Sequence, residues 1–323
     1  MPLITSDFKP NFALKNKHFN TVFRVFFNTE NTLYTRKRII LNDGDFIDLD
    51  FASVNAETAI IAIHGLEGSS KSNYIQALAR EANYKNIDVI AMNLRSCSGE
   101  PNRRLASYHS GKTADLAEVI THIIQNYNYK ALYLVGYSLG GNLVLKYMGE
   151  YANAMPVIIK KAVGVSVPCN LEGSALTLNS SFFRRKYLNN FLKTLKAKAA
   201  YKLAHFPNNM DKERIANAKD FIAFDDAFTA PSHGFKDAKD YWNKCSSKPF
   251  LTEIQRETLL ISSLDDPFLD DSCYPFEAAK NNPYFTFLAT KHGGHVGFSQ
   301  SFWIKKNNWL ENQIISFLLK NNN

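Results

Sequence analysis

Residues 131–145 read Ala-Leu-Tyr-Leu-Val-Gly-Tyr-Ser-Leu-Gly-Gly-Asn-Leu-Val-Leu. An apolar run feeds Gly-x-Ser-x-Gly, and a helical pattern follows at once. This spacing predicts a strand over Leu132–Val135, a helix over Leu139–Tyr147 and a sharp turn holding Ser138 between them. Such a turn lifts the serine hydroxyl clear of the sheet. Gly136 and Gly140 lack Cβ atoms, so strand and helix can approach closely on either side. Five residues alone are a weak match, and the strand–turn–helix context is what makes Ser138 a candidate nucleophile.

Working outward, the chain alternates strands and helices. Thr35–Leu41 and Phe46–Phe51 flank Asn42-Asp43-Gly44-Asp45, which reads as a β-hairpin. Ala59–Ile63 and Ile87–Asn93 read as buried strands, with a helix over Asn73–Ala82 between them. A helix over Ala114–Asn126 precedes the serine strand, and Lys161–Val167 follows its helix. Strands resume at Thr258–Ser263 and Phe285–Ala289, and an amphipathic helix is expected over Ile304–Leu319. Residues 1–34 read as irregular, with Phe12, Phe19, Phe23, Phe26 and Phe27 packing on the body. The expected fold is α/β, a mostly parallel central sheet with helices on both faces in one domain over residues 1–323. A helical insert of about residues 169–250, broken at Pro207 and Pro231, interrupts it between the sixth and seventh strands.

Of the 323 residues, 45% are hydrophobic and 21% charged, ordinary for a globular enzyme. The four cysteines, Cys97, Cys169, Cys245 and Cys273, form no Cys-x-x-Cys pair. Their scatter points to reduced thiols and a cytoplasmic setting. No signal peptide is read at the start, and no run of eighteen apolar residues would span a membrane. The net charge of +8 is spread along the chain without a nucleic-acid-binding module, so no nucleic-acid partner is expected.

A serine hydroxyl needs a base to take its proton, and the base needs an orienting carboxylate. In enzymes with this elbow the chain order is serine, acid, histidine. Downstream, Leu259–Ser263 ends in Leu264-Asp265-Asp266-Pro267, and Phe285–Ala289 ends in Thr290-Lys291-His292-Gly293-Gly294-His295. Serine, acid and histidine thus all fall just past carboxyl ends of strands, the edge where ligands bind in open α/β sheets. Asp266 is the expected acid, with Asp265 capping the turn. His295 is the expected base, because its Gly-Gly lead-in gives the loop freedom to turn the imidazole toward Ser138. His292 is expected to be solvated or to stand behind His295.

Backbone amides of Leu139, the residue after the serine, and Leu66, in the His64-Gly65-Leu66 loop, are the expected oxyanion donors. His64 is expected to be a structural residue. His292-x-x-His295 does not suit a metal, since a Gly-Gly spacer breaks the helical spacing of a histidine pair. No metal or cofactor is expected. Gly111-Lys112-Thr113 lacks the first glycine of a phosphate-binding loop, where Ala106 stands. Ser110 or Thr113 is expected instead to cap the following helix, with Asp115 favourable against its dipole.

These segments together resemble the YheT-like α/β-hydrolases, which include embryogenesis-associated hydrolases and lipid esterases. The resemblance runs through His18-Phe19-Asn20-Thr21, His64-Gly65-Leu66-Glu67-Gly68-Ser69, Asn93-Leu94-Arg95-Ser96-Cys97-Ser98-Gly99 and Gly136-Tyr137-Ser138-Leu139-Gly140-Gly141-Asn142. It continues through Thr229-Ala230-Pro231, His233-Gly234-Phe235, Asp240-Tyr241-Trp242, Asp265-Asp266-Pro267 and Gly293-Gly294-His295-Val296-Gly297-Phe298. Trp242 stands where the family often has tyrosine, and Phe19-Asn20 where Leu-Gln is usual. The resemblance implies a carboxylic-ester hydrolase using Ser138, Asp266 and His295 without a cofactor, on small-molecule or lipid esters.

Residues 181–202 carry Arg184, Arg185, Lys186, Lys193, Lys196, Lys198 and Lys202 and no acid. The simpler expectation is a solvated helical face, and the other is a cationic rim making weak peripheral contact with anionic membrane. Tyr187, Leu188, Phe191, Leu192 and Leu195 give the same helix an apolar face, to roof the site or bury against the core. Asp225 and Asp226 read as a structural loop.

Overall fold

The computed structural model describes residues 3–27, 32–206, 210–303 and 307–320. Its strands are β1 (Leu3–Thr5), β2 (Thr35–Ile40), β3 (Phe46–Ala52), β4 (Thr58–Ile63), β5 (Asp88–Asn93), β6 (Ala131–Tyr137), β7 (Ile159–Val165), β8 (Thr258–Ser263) and β9 (Phe285–Thr290). They form one sheet in the order β1-β9-β8-β7-β6-β4-β5-β3-β2. The β2/β3 hairpin and the β3/β5 pair are antiparallel, and every other pair is parallel. At the hairpin turn Gly44 takes a positive φ of 78°, and the Leu41 amide donates to the Asp45 carbonyl at 2.9 Å.

Side chains of a strand alternate between the two faces of the sheet, and the core follows that period. Ala59, Ile61 and Ile63 of β4 belong to a core with Leu116 and Ile120 of α3 (Thr113–Asn126) and Val144 of α4 (Leu139–Glu150). Ile60 and Ala62 belong to a second core, on the other face. It contains Ile75 and Leu78 of α2 (Asn73–Tyr84) and Ile314 and Leu318 of α12 (Trp309–Leu319).

The expected helical insert lies between β7 and β8, one strand later in the count because β1 adds an edge strand. It comprises α5 (Leu171–Asn179), α6 (Phe182–His205), α7 (Lys212–Asn217), α8 (Phe221–Phe224), α9 (Ala230–His233) and α10 (Ala238–Cys245). A short helix, α11 (Phe276–Asn281), connects β8 to β9. Among the described residues no helix is long and apolar enough to cross a membrane.

Several local expectations are corrected. Within the stretch expected to be irregular, residues 3–27 are regular: β1 pairs with β9, and α1 (Lys17–Phe27) follows a 3-10 turn over Phe12–Lys15. Phe23 is buried, but Phe12 and Phe26 stand in solvent. Pro231 does not interrupt a helix midway; it sits two residues before the end of α9, which closes at His233 with Gly234 in the left-handed region. Pro207 lies outside the described residues. The last helix begins at Trp309, and residues 304–306 at its expected start lie outside the described residues. Neither Ser110 nor Thr113 caps α3. The Ser110 hydroxyl accepts from Tyr241, and the Thr113 hydroxyl donates to Glu150. Asp115 does lie in the first turn of α3, where its carboxylate also takes both forks of the Arg95 guanidinium at 2.7 Å.

Candidate active site

Ser138 ends β6 with φ 52° and ψ −119°, a conformation L-residues rarely adopt. Its neighbours explain how the turn is tolerated. A Cβ on Gly136 would sit 2.2 Å from the Gly140 carbonyl oxygen, and one on Gly140 would sit 2.5 Å from the His64 oxygen. The Ser138 amide donates to the Val165 carbonyl at 2.8 Å, tying the elbow to β7.

Asp266 lies just past β8 and His295 just past β9, and the loops bring both to Ser138. His295 Nε2 is 2.9 Å from Ser138 Oγ, and Nδ1 is 2.8 Å from Asp266 Oδ2. The Asp266 carboxylate is buried and its other oxygen accepts the Phe268 amide at 2.8 Å, so its orientation is fixed. The Phe268 ring stacks on the imidazole at 4.0 Å. Asp265 points elsewhere. It accepts the Gly294 amide at 3.0 Å and lies 3.2 Å from His292 Nδ1, so it caps the histidine loop and holds His292 away from Ser138.

The Gly-Gly lead-in serves a different purpose from the expected freedom. Gly293 and Gly294 have φ of 153° and 60°. A Cβ on Gly294 would lie 2.5 Å from the Lys17 carbonyl oxygen, and one on Gly297 2.4 Å from that of Asn20. The glycines let the loop pack flat against α1. That contact was not read from the sequence, and neither were the α1 residues that make it. Thr21 Oγ1 accepts the His295 amide at 2.9 Å. The Asn20 side chain donates to the Leu14 and Ser299 carbonyls and accepts the Ser299 amide. From the sheet, Ser263 Oγ donates to the Gly294 carbonyl and Ser166 Oγ accepts the Val296 amide.

Leu66 and Leu139 both line the pocket over Ser138. Among the described residues, neither of their amides is bonded to a protein acceptor. His64 is buried, with Nδ1 2.7 Å from the Gly65 carbonyl oxygen and Nε2 accepting the Leu94 amide, so it braces this loop. Burial pushes its pKa down to about 4, keeping the ring neutral. The next residue, Glu67, has a positive φ of 57°. Its Oε1 accepts from Tyr108 at 2.6 Å and from Lys198 at 2.8 Å.

Lys198 belongs to α6, so the insert reaches the loop beneath it. The apolar face of α6 does both things foreseen for it: Leu188 and Leu192 are buried, while Phe191 and Leu195 line the pocket. Ala175 and Leu178 of α5 and Phe221 and Phe224 of α8 complete the apolar wall. The basic residues of α6 divide. Arg185, Lys186 and Lys193 are solvated as expected, but Lys198 and Lys202 turn inward. Lys202 is buried and donates to the Asn102 and Arg104 carbonyls at 2.6 Å, with its pKa lowered to about 8 by burial.

Asp225 and Asp226 are not in a loop but in a π-helical turn, Asp225–Thr229, between α8 and α9. Asp225 is buried and accepts from Trp242 Nε1 at 2.8 Å and Thr229 Oγ1 at 2.6 Å. Asn142, four residues past the serine, donates to the Ser110 and Cys245 carbonyls and fastens α4 to the end of the insert. Among the described residues no group of three or more His, Cys, Asp or Glu side chains could hold a metal ion.

A family model described as alpha/beta hydrolase fold matches residues 58–302. The protein YheT of Escherichia coli is 35% identical over 321 residues, covering 97% of this chain and 93% of YheT. Phospholipase ABHD3 of Homo sapiens is 26% identical over 330 residues, covering 98% of this chain and 80% of the human protein. Among solved structures, the Pyrococcus furiosus esterase Pf2001 superposes with a TM-score of 0.59 at 16% identity, covering 88% of this chain and 91% of that one. At that identity the likeness speaks for the fold alone.

Proposed function

This chain belongs to the YheT-like α/β-hydrolases, and from that premise we propose that it is a serine-dependent carboxylic-ester hydrolase. The observation that carries the reading is the hydrogen-bonded series Ser138–His295–Asp266 beneath an apolar pocket. His295 Nε2 takes the proton of Ser138 Oγ as the oxygen attacks the ester carbonyl. Asp266 holds the ring with Nδ1–H toward itself and stabilises the imidazolium. The amides of Leu66 and Leu139 receive the developing oxyanion, each worth roughly 3–4 kcal/mol of barrier. His295 then gives its proton to the departing alcohol, leaving an acyl ester on Ser138. Water, deprotonated by the same nitrogen, releases the acid and restores the serine. Nothing in this cycle calls for a cofactor.

The chain acts as one hydrolase domain, with residues 169–250 as a cap over Ser138. The apolar wall suits short- to medium-chain or lipid-derived acyl groups, in keeping with the phospholipase and lipase names of relatives. Four free cysteines fit a cytoplasmic location. Purified wild type, Ser138→Ala and His295→Ala are treated with a fluorophosphonate probe and p-nitrophenyl esters from acetate to palmitate. Labelling and turnover by wild type alone is expected. A folded wild type that neither labels nor hydrolyses any ester overturns the reading in favour of a silent binding protein.

A further inference from the structure

Three separated segments bring apolar rings to one surface. At the start of α6, Phe182 and Phe183 are 70% and 58% exposed, with their rings 5.7 Å apart. Phe183 lies 5.4 Å from His18 on α1. Further along α1, Phe19 and Phe23 meet Phe302 at 6.3 and 5.8 Å, and the adjacent Trp303 is 75% exposed. Phe23 is buried and anchors Phe302, and the exposed rings gathered on these neighbouring segments are more than the scattered single apolar residues normal on a protein surface.

The patch is bordered by cations without acidic partners. Among the described residues Arg184 reaches only the Ser180 hydroxyl, and Lys186 only the faces of Phe182 and Phe183, at 4.8 and 5.6 Å. Arg185 is solvated, and Lys17 lies beside His18. The patch also adjoins the site. His18 stacks on Tyr187 at 5.9 Å, Tyr187 meets Phe268 at 4.9 Å, and Phe268 covers His295.

We infer that this face, formed by the start of α6, α1 and residues Phe302 and Trp303, docks on a lipid surface carrying anionic headgroups, from which ester substrates reach the pocket. The inference rests on the ester-hydrolase reading. Rings inserted at headgroup depth gain apolar burial, while each neighbouring Lys or Arg adds roughly fivefold to partitioning onto an anionic bilayer. Arg184, Arg185 and Lys186 together therefore contribute about a hundredfold at low salt. Alignment of the patch with the His295 side of the pocket would shorten the path of a lipid ester to Ser138.

The test is co-sedimentation with phosphatidylcholine vesicles, with and without 30% phosphatidylglycerol, in about 20 and about 500 mM NaCl. Turnover of p-nitrophenyl acetate is measured in parallel. Wild type is expected to bind the anionic vesicles at least tenfold better than the neutral ones, and to lose that preference in high salt. R184E/R185E/K186E should abolish binding, and F182S/F183S should weaken it about tenfold at either salt concentration. Both variants should keep wild-type turnover of the soluble ester, which also shows them folded. Wild type that ignores anionic vesicles at low salt, or charge-reversed protein that binds as well as wild type, overturns the inference. Binding of an oligonucleotide but not of vesicles overturns it too. Vesicle binding by a wild type with no esterase activity would instead sink the catalytic reading and leave the docking surface standing.

Discussion

Replacing Lys198 with methionine removes one ammonium from α6 and tests whether the helical insert sets the geometry of the loop proposed to hold the oxyanion. Lys198 Nζ lies 2.8 Å from Glu67 Oε1, and Glu67 directly follows Leu66, whose amide is a proposed oxyanion donor. The Glu67 side chain is 8% exposed and that of Lys198 33%. A charge-assisted hydrogen bond in a dry setting contributes about 1.5–3 kcal/mol, and a third of the lysine in water reduces this to about 1 kcal/mol of stability. The rate effect has its own ceiling. Complete loss of one oxyanion donor costs about 10²–10³-fold in kcat. Tyr108 still donates to Glu67 at 2.6 Å in the variant, so the loop shifts and does not collapse. We expect kcat for p-nitrophenyl acetate to fall about tenfold, near 1.4 kcal/mol of barrier. KM for so small an ester should barely move, and Lys198→Arg should recover most of the rate. A kcat within twofold of wild type, accompanied by a lower Tm, would refute the reasoning and leave the ion pair as cap-to-core attachment only.

Two other perturbations address stability. Burial pushes the Asp225 carboxyl up to about 7, above its unfolded value near 3.9, so its contribution is fully present below pH 4 and is lost as pH rises through 7. Thermal unfolding of Asp225→Asn should accordingly gain on wild type between pH 5 and pH 8, by at most about 3 kcal/mol; an unchanged difference contradicts this. Arg24 Nη2 donates to Glu311 Oε1 at 2.7 Å with both side chains buried, so Arg24→Met should cost about 3–5 kcal/mol in urea denaturation. Adding Glu311→Leu should restore most of the loss, and a double variant as unstable as the single one counts against the buried-charge account.

What could be read in advance was whatever has a local signature. The elbow announced itself through an apolar strand, two glycines and a helix start. The carboxyl ends of β8 and β9 pointed to Asp266 and His295, which the fold brings into hydrogen-bonding reach of Ser138, because strand ends are visible in the hydrophobic pattern. Between Asp265 and Asp266 the pattern offers little, and the choice is made in space, by which carboxylate meets His295 and which meets the Gly294 amide. Helix α1 escaped because Lys17–Phe27 is rich in aromatic and β-branched residues, weak helix formers that tertiary contacts override. The inward turn of Lys198 and Lys202 escaped for another reason. Their methylene stems can cross an apolar wall, so a basic residue on a helix does not by itself declare which side it faces.

The seam between α1 and the histidine loop joins residues 274 positions apart, Thr21 and His295, and residues 279 positions apart, Asn20 and Ser299. Contacts so remote in sequence carry a loop-closure cost that local contacts escape, and they slow folding. During synthesis the elbow can fold well before His295 is in place, and the histidine loop cannot be set until residue 300 has emerged to meet α1, made much earlier. On the proposed mechanism, ester turnover reports the meeting of these two remote segments. Loss of either segment is expected to leave the serine turn intact while abolishing the proposed hydrolysis.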